Sequence, residues 1–263
     1  MEQITSRENQ RIRHLILLNE KARKRRQEGL FVIEGKRIVL DAPKDALVEL
    51  YLSESKAEEY ESALPPGIPA FVLPDALFAQ VCDTTTPQGI LAVVRQPQHS
   101  LEEMIKKEHP LLLALEDVQD PGNLGTMVRT AEAAGADGMI LSRGCVDLYN
   151  PKTVRSTMSA IFRVPIVTAE DFAGSLQELR EKGIHLYAAH LEGSIIYDSA
   201  DYTKGTCFLV GNEGNGLSPE ITALANKRIF IPMDGKIESL NAAMSAGILL
   251  YEAARQRRHV AGS

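Results

Sequence analysis

From residue 111 onward, short apolar runs alternate with stretches of helical periodicity almost to the end of the chain. The apolar runs are nearly continuous, which is typical of strands that are buried on both faces of a sheet. Strands separated by helices indicate a parallel sheet covered by helices on both sides. The predicted strands are 111–117, 138–142, 184–190, 205–211 and 227–232, and the predicted helices are 123–135, 175–183, 217–225 and 239–258.

A shorter α/β pattern precedes this region. It predicts a basic helix over 10–28, with Ile12, Leu15, Ile16 and Leu18 facing inward. It also predicts strands at 30–33, 47–53, 70–73 and 89–94, with helices starting near 38 and 74. We therefore expect a small α/β domain at 1–96, a linker at 97–110 that holds a short helix at 101–109, and a larger domain at 111–263.

The composition is that of a soluble globular protein, with 44% hydrophobic and 24% charged residues. No apolar run reaches the roughly 18 residues that a membrane span needs, and the polar N-terminus has no signal-peptide core. A cytoplasmic protein with no membrane partner is expected. Cys82, Cys145 and Cys207 form no CxxC pair and the histidines no ligand spacing, so we predict neither disulfides nor a metal.

The charge distribution favours a nucleic-acid partner although the whole chain carries −6. Residues 1–40 hold ten Lys or Arg and five Asp or Glu, a net charge of +5, while the remainder carries −11. A local basic face can bind phosphates whatever the total charge. Lys24, Arg25 and Arg26 are the candidate contacts, and the alternative is an ordinary solvated helix face.

The first segment with the character of a site is DPGNLGTMVRTAEAAG at 120–135, where a buried strand turns into a helix. Asp120 is suited to cap that helix, with Pro121 at its first position. Because ligands of parallel sheets bind at the carboxyl ends of strands, Asn123 and Arg129 are candidate site residues. The alternatives are a capping role for Asn123 and a surface salt bridge for Arg129. The small and apolar neighbours of Arg129 argue against a solvated side chain.

The second segment is LVGNEGNGL at 209–217, in which glycines directly follow an apolar strand. Such a loop lets the backbone approach a ligand closely. The spacing is neither the GxGxxG fingerprint nor a Walker A loop, and the chain has no GxGxxG after its first strand, which argues against a Rossmann-type dehydrogenase. Glu213 is either a site residue or an ordinary turn carboxylate.

The third segment is IPMDGKIESLNAAMSAGILLYEA at 231–253. A strand ends at a Pro-Met turn, and a helix is predicted to begin with Ser239 as its cap. The helix opens with small residues, so another backbone or a ligand can come close. Ordinary tight helix packing is the alternative.

Together, the three segments resemble the signature motifs of the SpoU/TrmH family, in the SPOUT class of RNA 2′-O-ribose methyltransferases. They occur in the family's order and near its usual spacing, and the resemblance covers about residues 110–258. The sequence FVIEGKRIV at 31–39 looks like part of the small ribosomal-protein-like RNA-binding domain carried by the ribosomal-RNA branch.

The resemblance implies a SPOUT-type domain with a C-terminal trefoil knot, and S-adenosylmethionine as the methyl donor. It implies a ribose 2′-hydroxyl as the acceptor, with ribosomal RNA favoured, and a homodimer formed through the C-terminal domain. By the same resemblance the catalytic candidates are Asn123, Arg129, Glu213, Ser239 and Asn241. The cofactor contacts, made largely through backbone groups, are Gly211, Ile231, Met233 and Leu240.

Two other functions stay open at this point. One is a tRNA methyltransferase of the same class that methylates a base, against which the Asn123 and Arg129 pair argues, because that pair belongs to the ribose-methylating branch. The other is a non-catalytic RNA-binding or ribosome-assembly protein that has kept the fold.

Overall fold

The computed structural model describes residues 1–192 and 195–261, and the side chains of the described residues up to 259. The strands in chain order are β1 (Glu2–Gln3), β2 (Leu30–Glu34), β3 (Leu47–Ser53), β4 (Ala70–Leu73), β5 (Ile90–Arg95), β6 (Leu111–Leu115), β7 (Gly138–Leu141), β8 (Ile166–Thr168), β9 (His185–Ala189), β10 (Ile195–Ile196), β11 (Thr206–Val210) and β12 (Lys227–Phe230). The helices are α1 (Gln10–Glu20), α2 (Ala22–Glu28), α3 (Lys36–Asp41), α4 (Ala57–Glu61), α5 (Asp75–Val81), α6 (Leu101–Met104), α7 (Pro121–Ala133), α8 (Pro151–Ser156), α9 (Phe172–Glu181), α10 (Pro219–Leu224) and α11 (Ala242–Ala261).

The chain divides into two units whose boundary is not a single cut in the sequence. The first unit contains residues 1–97 together with 147–162, and the second contains 98–146 and the chain from 163 onward. The sequence predicts residues 147–162 to be part of the C-terminal domain, whereas in the structure this segment packs within the N-terminal unit.

The first unit is built on a mixed sheet with the strand order β1-β4-β3-β5-β2. Strand β5 runs antiparallel to both of its neighbours, and the other two pairings are parallel. Ile12, Leu15 and Leu18 of α1 are fully buried in its core, as predicted, whereas Ile16 is only half-buried. The small α/β domain expected from the sequence is therefore present.

The basic segment at 10–28 forms two helices, so the prediction of a single helix is wrong. Lys21 is extended, with φ −115° and ψ 103°, and separates α1 from α2. The guanidinium of Arg25 donates to the carbonyl oxygens of Leu18 at 2.6 Å and of Asn19 at 2.8 Å. These last carbonyl groups of α1 therefore have partners without any continuation of the helix.

The segment 147–162 is held in the first unit by a charge pair and by aromatic contacts. Arg25 Nη2 lies 2.5 Å from Asp147 Oδ2, and the Phe31 ring lies 4.7 Å from that of Tyr149 and 6.1 Å from that of Phe162. Helix α8 lies in this segment and packs on β2. The sequence analysis missed α8, although Asn-Pro at 150–151 is a signal for a helix start.

The second unit contains a sheet with the order β10-β12-β9-β11-β6-β7-β8, in which every pairing is parallel. Residues Leu112 and Ala114 of β6 face a core formed with α9 and α10. On the other side, α7 and α11 pack against each other and against β7 and β11. The predicted parallel sheet with two covered faces is confirmed. The sequence analysis missed β8 and β10, and the helix predicted at 101–109 is limited to α6.

Within residues 1–192 and 195–261, no helix is long and apolar enough to cross a membrane. The same residues contain no cluster of three or more His, Cys, Asp or Glu side chains that could hold a metal ion. The three cysteines are free.

Candidate active site

Several polar residues lie close together where the neighbouring strands β6 and β11 end. The backbone N–H of Glu116, just beyond β6, donates to the Val210 carbonyl at 3.0 Å. The chain then enters α7 through Asp120, whose Oδ1 accepts from the Asn123 N–H at 2.7 Å, with Pro121 at the start of the helix. The predicted cap of α7 is confirmed, and it leaves the Asn123 side chain free for other partners.

A chain of side-chain hydrogen bonds joins all three motif segments. Asn241 Nδ2 donates to Asn123 Oδ1 at 3.0 Å, and Asn123 Nδ2 donates to Glu213 Oε1 at 3.0 Å. Glu213 also accepts from the backbone N–H groups of Gln119 at 3.1 Å and Asp120 at 3.2 Å. We call Asn241, Asn123 and Glu213 the amide–carboxylate chain. The structure thus brings together three of the five catalytic candidates, from segments that lie 90 and 118 residues apart.

Glu213 is held as a carboxylate by the groups around it. Partial burial raises the pKa of this carboxyl. The hydrogen bonds from the Asn123 side chain and from backbone N–H groups outweigh that effect and leave its pKa below the ordinary value. Both oxygens accept from N–H donors, which favour the charged form. Glu213 is therefore a weak base that positions its neighbours.

Glu213→Gln should remove a pH-dependent part of the stability. A carboxyl whose pKa is lower in the folded than in the unfolded state stabilises the fold above its unfolded pKa of about 4.3, and this contribution disappears as the pH falls through the folded pKa. We expect the stability difference between wild type and Glu213→Gln to be constant above about pH 5.5 and to shrink at lower pH. Thermal unfolding followed by circular dichroism from pH 3 to 7 measures it.

The matched control is Glu181→Gln, which changes an exposed carboxylate on α9. It should follow the wild-type pH dependence. Parallel curves for wild type and Glu213→Gln over the whole pH range would contradict the assignment of hydrogen-bonded charge to Glu213.

The loop that carries Glu213 is closed on itself. A Cβ added at Gly211 would lie 2.1 Å from the carbonyl carbon of Gly216, so only glycine fits there. Asn212 exchanges backbone hydrogen bonds with Gly216, and its side chain donates to the Asp117 carbonyl at 2.8 Å. The absence of a side chain at Gly211 thus lets two backbone segments of the same loop lie close together. The sequence analysis missed Asn212, although asparagine beside glycine is a turn signal.

Asn241 caps α11, so the prediction that Ser239 is the cap is wrong. Asn241 Oδ1 accepts from the backbone N–H of Ala243 at 2.9 Å and of Met244 at 3.3 Å. Ser239 is exposed and lies two residues before this cap. The Asn241 amide reaches the helix N–H groups through its oxygen and Asn123 through its nitrogen, a pair of contacts that the shorter serine hydroxyl lacks.

Arg129 lies apart from the amide–carboxylate chain. Its side chain is exposed, which contradicts the expectation that its neighbours disfavour a solvated position. Nor does it form a surface salt bridge with any residue that the structure describes. Six residues along a helix correspond to about 9 Å and to a rotation of about 120° from Asn123. Arg129 is therefore an unpaired cation on the outer face of α7.

The candidate cofactor residues lie beyond β11 and β12, two strands that are separated in the sheet by β9. Ile231, Met233 and Leu240 are half-buried in a stretch whose other members from 232 to 239 are exposed. Among the described residues, the backbone of 233–240 makes no backbone hydrogen bond, so its polar groups are available to a ligand. These residues fit a cofactor that is bound mainly through backbone groups. His190, beyond β9, lies between the other two strand ends, a position that only the strand order shows.

The structure separates the three candidate RNA contacts on α2. The side chain of Arg25 is 3% exposed and is paired with Asp147, so the prediction that it contacts RNA is wrong. Lys24 Nζ lies 2.6 Å from Glu28 Oε1. Arg26 is exposed.

Comparison with known proteins places this site in a family. Residues 110–251 match the SpoU rRNA methylase family, and residues 9–92 match the MRM3-like substrate-binding domain. The chain belongs to the SpoU rRNA methylase family. The family assignment therefore covers the segments that supply Asn123, Glu213 and Asn241.

Three similar proteins align over 89% or more of this chain. The 23S rRNA (guanosine(2553)-2′-O)-methyltransferase RlmP of Bacillus subtilis is 34% identical over 251 residues, which cover 95% of this chain and 98% of that protein. Human mitochondrial rRNA methyltransferase 3 is 29% identical, over 89% of this chain and 69% of its own length. The AdoMet-bound rRNA methyltransferase of Sinorhizobium meliloti has a TM-score of 0.86 and 33% identity, over 98% of each chain.

Proposed function

We propose that this chain transfers the methyl group of S-adenosylmethionine to a ribose 2′-hydroxyl of large-subunit ribosomal RNA. The observation that carries the proposal is the amide–carboxylate chain, which joins the three motif segments at the carboxyl ends of adjacent parallel strands. Support for ribosomal RNA over tRNA comes from relatives named as ribosomal-RNA enzymes that align over both units. The trefoil knot is a further prediction that goes with the family, and a cytoplasmic location is a prediction made from the sequence.

The protein's own residues orient and stabilise the reacting groups. S-adenosylmethionine, when bound, supplies an electrophilic methyl group on a sulfonium. The protein must align the 2′-oxygen with that methyl group, assist loss of the hydroxyl proton and exclude water. Glu213 keeps Asn123 in place through its accepted hydrogen bonds, and Asn123 in turn holds Asn241. We assign Ser239, which is exposed two residues before Asn241, a hydrogen bond to the ribose.

We assign Arg129 to phosphate binding and charge stabilisation, not to removal of the hydroxyl proton. Arginine keeps its proton at every accessible pH, so a role as the base is unfavourable. Its planar guanidinium binds a phosphate through two parallel hydrogen bonds and stabilises developing negative charge on the 2′-oxygen. An exposed and unpaired Arg129 is available for both.

A homodimer through the second unit is part of the proposal. Met244 is 59% and Tyr251 48% exposed, and their spacing of seven residues puts them on one face of α11. Gly247 of this helix lies against Thr130, the neighbour of Arg129. A dimer packed through this face would bury the two apolar side chains and place Arg129 at the interface.

Transfer of labelled methyl groups from S-adenosylmethionine tests the function. The acceptors are an unmodified 23S rRNA transcript, the assembled large subunit and, separately, tRNA. We expect label in ribosomal RNA, with one linkage resistant to alkali because its 2′-oxygen is methylated. Label in tRNA alone would contradict the choice of ribosomal RNA. If neither RNA is labelled and the cofactor does not bind, the non-catalytic RNA-binding alternative replaces the catalytic one.

A further inference from the structure

Helix α2 carries four successive cations that the structure divides into paired and unpaired members. Arg25 is buried on Asp147, and Lys24 is paired with Glu28, a carboxylate that also contacts His14 at 2.5 Å. Arg23 and Arg26 are exposed, and neither side chain has a hydrogen bond or ion pair with any residue in the described part of the chain.

The helix geometry places the two unpaired arginines together. Positions 23 and 26 are separated by about 60° around the axis and about 4.5 Å along it, so they share a face. Position 25 lies about 160° around the axis from 23. Because Arg25 is anchored inward by Asp147 and by the carbonyls of Leu18 and Asn19, the face with Arg23 and Arg26 is presented to solvent.

The face of α2 that carries Arg23 and Arg26 stays positively charged, because the nearby carboxylate is already paired with other side chains. Glu28, the acidic residue of α2, is shared between Lys24 and His14. Burial acts to raise the pKa of Glu28, but the hydrogen bonds and charges of Lys24 and His14 together outweigh it and lower the pKa. Its charge is therefore compensated locally, and the two guanidinium groups are not neutralised by ion pairs. Arginine is suited to phosphate because it offers paired donors.

We propose that Arg23 and Arg26 form a phosphate-contact pair for the RNA substrate, and that Lys24 and Arg25 do not contact it. This inference rests on the proposed function for the identity of the RNA. The pair explains how a chain of net charge −6 binds a polyanion in its N-terminal unit. The role of Arg25 is to hold the helix that presents the pair.

The test compares Arg23→Gln/Arg26→Gln with Lys24→Gln in the full-length protein. Binding of a 23S rRNA transcript is measured by fluorescence anisotropy between 50 and 300 mM KCl. Two lost phosphate contacts should weaken binding roughly tenfold or more near 0.1 M salt and reduce the slope of log affinity against log salt by about 1.5. Lys24→Gln should stay within about twofold of wild type, because its charge is already paired.

Methyl transfer separates this inference from the proposed function. The double variant should show a higher KM for RNA, an unchanged kcat at saturating RNA and an unchanged affinity for S-adenosylmethionine. Equal RNA affinity and salt slope in wild type and double variant would overturn the inference, as would equal losses in the double variant and Lys24→Gln. If the double variant is impaired only with assembled large subunits, the pair contacts a ribosomal protein and not RNA. That result would also overturn the inference. If wild type binds RNA but transfers no methyl group, the proposed function fails while the binding comparison still decides the role of the pair.

Discussion

Arg129→Ala should lower the kcat of methyl transfer by about 100- to 1000-fold, the usual cost of losing one donor that stabilises charge in the transition state. The affinity for S-adenosylmethionine should be unchanged, because the candidate cofactor residues are at the ends of other elements. The fold should also be unaffected, since Arg129 is exposed and has no partner among the described residues. Initial rates with saturating labelled donor and calorimetric titration of the cofactor measure the two effects.

Two further variants make this prediction specific. Arg129→Lys should also be strongly impaired, because lysine keeps the charge but lacks the planar pair of donors. Arg180→Ala removes an exposed arginine of α9 whose side chain likewise has no partner among the described residues, and it should retain wild-type turnover. Near-normal kcat in Arg129→Lys would show that charge alone suffices and would contradict a bidentate role.

Arg25→Met should destabilise the first unit by about 3–5 kcal/mol, because breaking a buried pair leaves an uncompensated charge. Asp147, with a side chain only 16% exposed, would lose its partner. The carbonyl oxygens of Leu18 and Asn19 would also lose their donor. Hydrogen exchange of peptides spanning 10–34 and 147–162, followed by mass spectrometry, reports on this unit separately. The chain contains no tryptophan to provide a fluorescence signal.

Lys24→Met and a double replacement complete the comparison. Lys24→Met breaks a partly exposed pair and should cost no more than about 1 kcal/mol. Adding Asp147→Leu to Arg25→Met removes the unpaired charge and should recover part of the loss. Equal effects of Arg25→Met and Lys24→Met would contradict the structural role of the buried pair.

Much of the architecture follows from local sequence signals. The five predicted strands of the larger domain are present as β6, β7, β9, β11 and β12. They were predictable because continuous apolar runs between helical segments are typical of strands buried in a parallel sheet. The Asp-Pro start of α7 was predictable because a cap and its helix are adjacent in sequence. The strands β8 and β10 are short, three and two residues, and carry too little periodicity to be recognised.

The sequence and the family resemblance also selected Asn123, Glu213 and Asn241, but not how they are joined. The helix start beside Asn241 shows why. Ser239 and Asn241 are both good caps by residue type, and the contact with Asn123, 118 residues away, accompanies capping by Asn241. Local preference leaves such a choice open, since serine and asparagine both accept well from the first free N–H groups of a helix.

The parallel α/β architecture of the second unit, the basic character of the N-terminal segment and the residue types available for the site can all be predicted from the sequence. Which of these residues are used, and for what, depends on contacts between distant segments. Arg25 and its neighbours are equivalent in sequence, yet Arg25 is buried on Asp147, 122 residues away, while Arg23 and Arg26 remain in solvent. The difference arises from the distance along the sequence over which each kind of interaction acts. Periodicity and capping depend on neighbours within a few residues, whereas the burial of a charge and the partner of an amide depend on segments that only folding brings together.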